Sequence, residues 1–350
     1  MMHVIRLALA GVLAAGAVLV AGPSAGAVEG AAPALKIVAS EWSQDGWIAK
    51  ATCPSGYGLV GGGQDARLDT NAFGALSDGV EANAPDPNST NTWMVQAKSG
   101  SVRAFAMCAE DAPVPTVVAS AWSQDHWIAK ATCPANQHLI GGGQDARLET
   151  LITGDVDDDI ELNAPDTTTP DTWSAQAKKG QARAMALCAA GAPALKIVAS
   201  EWSQDGWIAK ATCPSGYGLA GGGQDARLDT NAFGALSDGV EANAPDPNST
   251  NTWMVQAKSG SVRAFAMCAE DAPVPTVVAS AWSQDGQQVR ASCPQGTQLA
   301  GGGQDARLQV DSFGNVDDDV ELNTPDPQAP NTWTTRSHNG QSRALAMCTA

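Results

Sequence analysis

Two indoles bracket an amide and a carboxylate in the segment Trp42-Ser43-Gln44-Asp45-Gly46-Trp47. Sugar rings dock on proteins by laying their C–H faces on aromatic rings while amides and carboxylates hold their hydroxyls, so this grouping suits a glycan. Gln64, Asp65 and Arg67 follow with further donors and acceptors. The same residue types return as Asp125, Trp127, Asp145 and Arg147, as Asp205, Trp207, Asp225 and Arg227, and as Asp285, Asp305 and Arg307. Gln287 occupies the fourth Trp position, so one copy does without that indole. Trp42 and Trp93 read as core residues, because Trp in a small sheet is usually buried. Trp47 is the ligand candidate.

Catalytic chemistry finds less support. A nucleophilic triad needs a base oriented by a third group, yet His3, His126, His138 and His338 fall where the other copies carry something else. Asp45, Asp65, Glu81 and Asp86 recur, and two carboxylates facing one cleft could hydrolyse a glycosidic bond. The bland reading of these acids is local: Asp65 pairs with Arg67 or caps a turn, and Asp86 makes an Asx turn before Pro87. Oxygen-rich loops at Asp155, Asp157 and Asp159 and at Asp317 and Asp319 could take Ca²⁺, although a solvated acidic loop accounts for them as well. No cofactor is expected.

These groups are carried by a period of eighty residues, with Val38-Ala39-Ser40 returning at Val118, Val198 and Val278. Residues 33–125 and 193–285 differ only at Val60 against Ala220, so the first and third copies are a recent duplication. Eight Cys obey the same period: Cys53, Cys108, Cys133, Cys188, Cys213, Cys268, Cys293 and Cys348. The period leaves two sensible pairings. Either each repeat closes on itself, or each bridges forward and leaves Cys53 and Cys348 to meet by ring closure. The first leaves no orphan and is the expected one.

Within a repeat the pattern is that of short strands. Trp47, Ala49, Ala51 and Cys53 alternate with Ile48, Lys50 and Thr52, a period of two. Further strands are predicted at Leu35–Ala39, Tyr57–Gly62 and Val80–Ala84. A hairpin is predicted over Thr92–Cys108, turning at Ser99-Gly100. It places Trp93, Val95 and Ala97 on one face and Val102, Ala104, Ala106 and Cys108 on another. The triplet Gly61-Gly62-Gly63 lacks the Lys and helix start of a phosphate-binding loop, so it signals a bulge or close passage of another backbone. The fold class is all-β: four tandem sandwich-like or prism-like modules, with a single four-bladed propeller as the alternative. The predicted units are 28–112, 113–192, 193–272 and 273–350.

The start Cys53-Pro54-Ser55-Gly56, the glycine triplet, Trp93 and the closing Arg103-Ala104-Phe105-Ala106-Met107-Cys108 together resemble a tandem-repeat module of secreted and surface-attached bacterial proteins. The resemblance covers all four repeats and implies a disulfide-bearing β fold with no defined activity. The second repeat has Asn136 in place of Gly56, which fits a position of positive φ.

Residues 1–27 read as a secretory signal: Arg6 precedes the apolar run Leu7–Val20, and Ala25-Gly26-Ala27 ends it. The chain's formal charge is −17. Such acidity disfavours phosphate backbones and anionic lipid, so neither nucleic acid nor membrane insertion is expected. Together these readings predict an extracellular, non-catalytic, multivalent binding protein, lectin-like or adhesive, whose partner is a glycan, another cell-surface polymer or a protein. The alternatives are a polysaccharide hydrolase and a structural module of a surface or toxin assembly.

Overall fold

Alternating stretches separated by turn residues favour strands over helices. In the computed structural model every such stretch is a strand, and there is no helix among the described residues. The structure describes residues 35–350 apart from 73–75, 152–153, 155–156 and 313, so the signal reading and Asp155 lie outside the described residues. In the first repeat β1 is Leu35–Ala39, β2 Ala49–Thr52, β3 Tyr57–Arg67, β4 Val80–Pro85, β5 Thr92–Ala97 and β6 Ser101–Glu110. The later repeats follow the same order as β7–β12, β13–β18 and β19–β24, beginning at Thr116, Leu195 and Thr276.

Each repeat divides its strands between two sheets. β1, β6 and β3 form half of a six-stranded antiparallel sheet completed by β22 (Val320–Pro325), β23 (Thr332–Ser337) and β20 (Val289–Ser292) of the fourth repeat. β4, β5 and β2 join β9 (Gln137–Arg147), β12 (Gln181–Ala190) and β7 (Thr116–Ala119) of the second. The remaining two sheets couple the second repeat to the third and the third to the fourth in the same way. The result is a four-bladed propeller of six-stranded blades.

The expected all-β fold, with four repeats and one disulfide in each, holds. The picture of self-contained modules in a row gives way to a ring. β3 finds its outer partner in the last repeat, with Asp65 opposite Leu322 and Gln64 opposite Asn323. Strand propensity says that a segment will pair, and leaves open with which segment.

The predicted pairings Cys53–Cys108, Cys133–Cys188, Cys213–Cys268 and Cys293–Cys348 are all formed. Cys53 follows β2 and Cys108 lies in β6, so each bridge links two neighbouring blades within one repeat. With a sequence separation of 55 residues, such a link constrains the unfolded chain by about 4 kcal/mol in the loop-entropy account.

The predicted hairpin over Thr92–Cys108 does not form. β5 pairs with β2 and β4, whereas β6 pairs with β1 and β3 in the adjacent blade. The chain arches across at Lys98-Ser99-Gly100, where the buried Asp78 carboxylate accepts the Ser99 N–H at 2.9 Å. Gly100 is required for space: a Cβ there would lie 2.2 Å from the Arg67 carbonyl oxygen and 2.5 Å from Asp78 Oδ2. The two expected side-chain faces do form, because Trp93, Val95, Ala97, Val102, Ala104, Ala106 and Cys108 meet in one apolar cluster. They meet face to face across two blades.

The glycine triplet marks both features predicted for it. Register slips between Leu59 and Gly61 as a bulge, and Gly62 and Gly63 admit close neighbours. A Cβ on Gly62 would sit 2.3 Å from the Trp93 ring of the adjacent blade, and one on Gly63 would sit 2.4 Å from the Asn323 carbonyl oxygen of the neighbouring strand β22. The Asn predicted to take positive φ does so: Asn136 has φ 67° where Gly56 has 85°.

Gly62→Ala should therefore destabilise the protein by about 2–4 kcal/mol, since neither the indole nor the Phe105 carbonyl oxygen at 2.5 Å can yield. Urea unfolding of the oxidised protein measures this. A wild-type midpoint for the variant would refute the close packing of Trp93 on that strand.

Candidate functional site

The structure disperses the predicted site residues to three places. Gln44, Asp45 and Trp47 lie together on an exposed turn. Gly46 bends it at φ 69°, a conformation open to Gly and here taken by His126 at φ 63° in the second repeat. The Trp47 N–H donates to the Gln44 carbonyl at 3.0 Å, and Gln96 Nε2 donates to the Gly46 carbonyl at 3.2 Å. The turn is thus braced from below while its indole is left in water. Trp47, Trp127 and Trp207 are 66%, 65% and 67% exposed, and each is followed by an exposed Ile. The counterparts Asp125, Asp205 and Asp285 are exposed as well. The fourth repeat has Gln287-Gln288 there, and Gln288 bonds Thr334 instead.

Asp65 and Arg67 go elsewhere. Asp65 is buried and receives Arg103 Nη2 at 2.8 Å, correcting the expected Arg67 partner. The physical reason is register: Arg103 lies directly across the ladder from Asp65, whereas Arg67 lies two residues along the same strand. Asp145, Asp225 and Asp305 likewise take Arg183, Arg263 and Arg343, each at 2.6 Å. Burial holds these three carboxyls above the usual range even beside their guanidiniums. Arg67 instead lies 3.9 Å above the Trp42 ring, and Arg147, Arg227 and Arg307 cover Trp122, Trp202 and Trp282 at 3.9–4.1 Å. Asp86 makes the predicted Asx turn to the Asn88 N–H at 2.9 Å and also pairs with Lys50 at 2.5 Å.

Gln64 reaches the third place, a cavity of about 120 Å³ lined by Gln64, Asn83 and their counterparts from all four repeats. Trp93 is in the core, as expected, and its Nε1–H donates to Asn83 Oδ1 at 2.7 Å. Asn83 Nδ2 in turn donates to Gln64 Oε1 at 2.9 Å. The same relay recurs in each repeat. Asp159 and Asp319, two of the Ca²⁺ candidates, line this cavity. Asp157 pairs with Lys179 at 2.7 Å, and Asp317 lies outside the cavity lining. Among the described residues no three His, Cys, Asp or Glu side chains are grouped to hold a metal ion.

The junctions between repeats share a device that sequence reasoning missed. The Leu148 N–H donates to Glu81 at 3.1 Å and its carbonyl accepts from Lys98, so one repeat grips the next by its backbone. Glu161 and Lys178 hold Leu228, and Glu241 and Lys258 hold Leu308. At the closing junction Glu321 accepts the Leu68 N–H at 3.2 Å, but His338 stands at the Lys position. His338 Nδ1 lies 2.8 Å from Glu321, and Arg336 spans Glu321 and Asp65 at 3.0 Å each. The sequence signal was the recurrence of Glu81 as Glu161, Glu241 and Glu321 and of Lys98 as Lys178 and Lys258, with His338 in the fourth place.

The Glu321 bond raises the His338 pKa, while His338 and Arg336 outweigh burial and lower that of Glu321. A raised His value adds stability below its unfolded pKa of about 6.5, and that stability is lost as pH rises through the folded value. The lowered Glu321 value adds stability above about 4.3, lost as pH falls through the folded value. The closing junction is therefore strongest in mildly acidic solution. His338→Lys keeps a cation at all ordinary pH. Its stability relative to wild type should rise by about 1 kcal/mol between roughly pH 6 and 9, read from urea unfolding at stepped pH. A difference that stays flat across that range refutes the assignment.

No protein family matches this chain, and no curated protein matches it.

Proposed function

We propose that this is a secreted, non-catalytic, multivalent binding protein that grips extracellular glycan through the Trp47, Trp127 and Trp207 turns. One observation carries the reading: of eleven tryptophans, eight are buried in the core or covered by Arg, and three stand in water at the same place in three repeats. Leaving an indole and an Ile exposed gives up burial energy, so the turn is better explained by contact than by folding. The neighbouring Gln44 and Asp45 supply hydrogen bonds at the edge of that surface. Three weak sites on one ring add by avidity on a polymer or cell surface.

Four disulfides, and no free Cys among the described residues, suit an oxidising compartment. Of the four recurring carboxylates that a hydrolase reading would use, Asp65 and Asp86 are committed to ion pairs.

A glycan array together with retention on cell-wall polysaccharide tests the proposal. Replacing Trp47, Trp127 and Trp207 by Ala should weaken retention at least about tenfold, with single replacements doing less. Stability should stay within about 0.5 kcal/mol of wild type, because the rings are exposed. Absence of retention on every glycan, with and without Ca²⁺, ends the proposal. So does undiminished retention by the triple variant.

A further inference from the structure

The amides facing the axial cavity have their orientation imposed from outside. An indole N–H can only donate, so Asn163 turns Oδ1 to Trp173 at 2.7 Å and Nδ2 to Gln144 Oε1 at 2.6 Å. Gln144 is thereby left with Nε2 for the cavity. Trp333 and Asn323 do the same to Gln304, at 2.7 and 2.5 Å. In the first and third repeats the equivalent Nε2 atoms of Gln64 and Gln224 donate onward to the Val320 and Ile160 carbonyls at 3.0 and 3.2 Å. Gln144 and Gln304, only 6% and 7% exposed, have no such acceptor among the described residues. Two buried pairs of N–H donors thus end in the cavity, each able to hold an acceptor.

Two carboxylates line the same space. Asp159 and Asp319 come from alternate repeats, and Gly79 and Gly239 hold their places in the other two. Each spends Oδ1 on the N–H that follows it, Ile160 at 2.7 Å and Val320 at 2.6 Å, which leaves Oδ2 without a protein donor among the described residues. Asp158, Glu161, Asp318 and Glu321 add negative charge around the pair, and His338 is the opposing cation at Asp319.

We propose that this axial chamber is a binding site for a small primary amine that also carries an oxygen acceptor. The ammonium group sits between Asp159 and Asp319, and the oxygen accepts from Nε2 of Gln144 and Gln304. An ammonium offers three donors to two carboxylates and removes the repulsion between them. A bare Ca²⁺ ion would leave the amide donors unmet and find two acids where it takes six to eight oxygens. A neutral polyol would satisfy the amides but leave two like charges facing each other. Burial and the charge of Asp319 hold the Asp159 carboxyl well above its usual range, and burial lifts Asp319 to about 6. Protons therefore compete with the amine in acid, and binding strengthens as pH rises. The site is separate from the surface tryptophans and does not depend on their role.

The test uses the oxidised full chain and follows the unfolding temperature near neutral pH with ethanolamine, propylamine, ethylene glycol or CaCl₂ added. Ethanolamine should raise it with concentration, propylamine less, and the diol and Ca²⁺ not at all. Asp159→Asn with Asp319→Asn, which keeps the size and the backbone bonds, should weaken the ethanolamine effect at least about tenfold. Asp159→Asn alone carries the comparison should the double variant not fold. The Trp47, Trp127 and Trp207 triple variant should keep the full response. No response to ethanolamine, an equal response in the Asn variants, or a matching response to the diol or Ca²⁺ overturns the proposal.

Discussion

The Trp93 indole against Gly62 is the contact on which the other features turn. It fills the space between two blades of one repeat, and only a strand lacking a Cβ there lets the ring approach. Its one polar atom then needs a partner, and Asn83 on the neighbouring strand supplies it. Asn83 passes the constraint to Gln64, so an apolar packing event between two sheets decides which atoms face the axis of the ring. Repeated four times, the contact ties blade interiors, strand pairing between repeats and the polar cavity into one structure.

Closing the ring solves a problem that a row of modules would have kept. β3 and its counterparts each carry an edge that would stand unpaired if a repeat were self-contained, and unpaired edges invite aggregation. Sharing every blade between consecutive repeats covers those edges, and the last repeat covers the first. The pairing is short, two residues at each junction, so side chains reinforce it. At three of the junctions a Glu and a Lys that hold a Leu backbone do this with charge-assisted hydrogen bonds. The closing junction keeps the Glu as Glu321 but has His338 at the Lys position and adds Arg336, which makes it chemically unlike the other three.

The acidity of the chain also divides by role. Asp65, Asp78 and Asp86 are buried, and each carries Arg, Lys or backbone partners that compensate the loss of water. Asp45 and its counterparts remain on exposed turns beside the indoles. Two carboxylates, Asp159 and Asp319, fit neither group, since they face a polar chamber with one oxygen each uncommitted.

Much of this was readable from residue order alone. The eighty-residue period, the alternation at Ala49–Cys53, the four disulfides and the positive-φ turn at Asn136 are consequences of local spacing, and local spacing is what a sequence records directly. The exposure of Trp47 was legible because one repeat does without the ring, which a core position would not tolerate. What the chain pairs with was not legible. Ser99-Gly100 looks like a hairpin turn, yet Gly100 is there to pass the Arg67 carbonyl, and β5 and β6 part into different blades. The same limit sent Asp65 to Arg103 and Gln64 to the axis. Hydrogen-bond partners lie tens of residues apart, 38 for Asp65 and Arg103, and the cavity gathers side chains from all four repeats, so strand pairing and the closing of the ring bring them within reach.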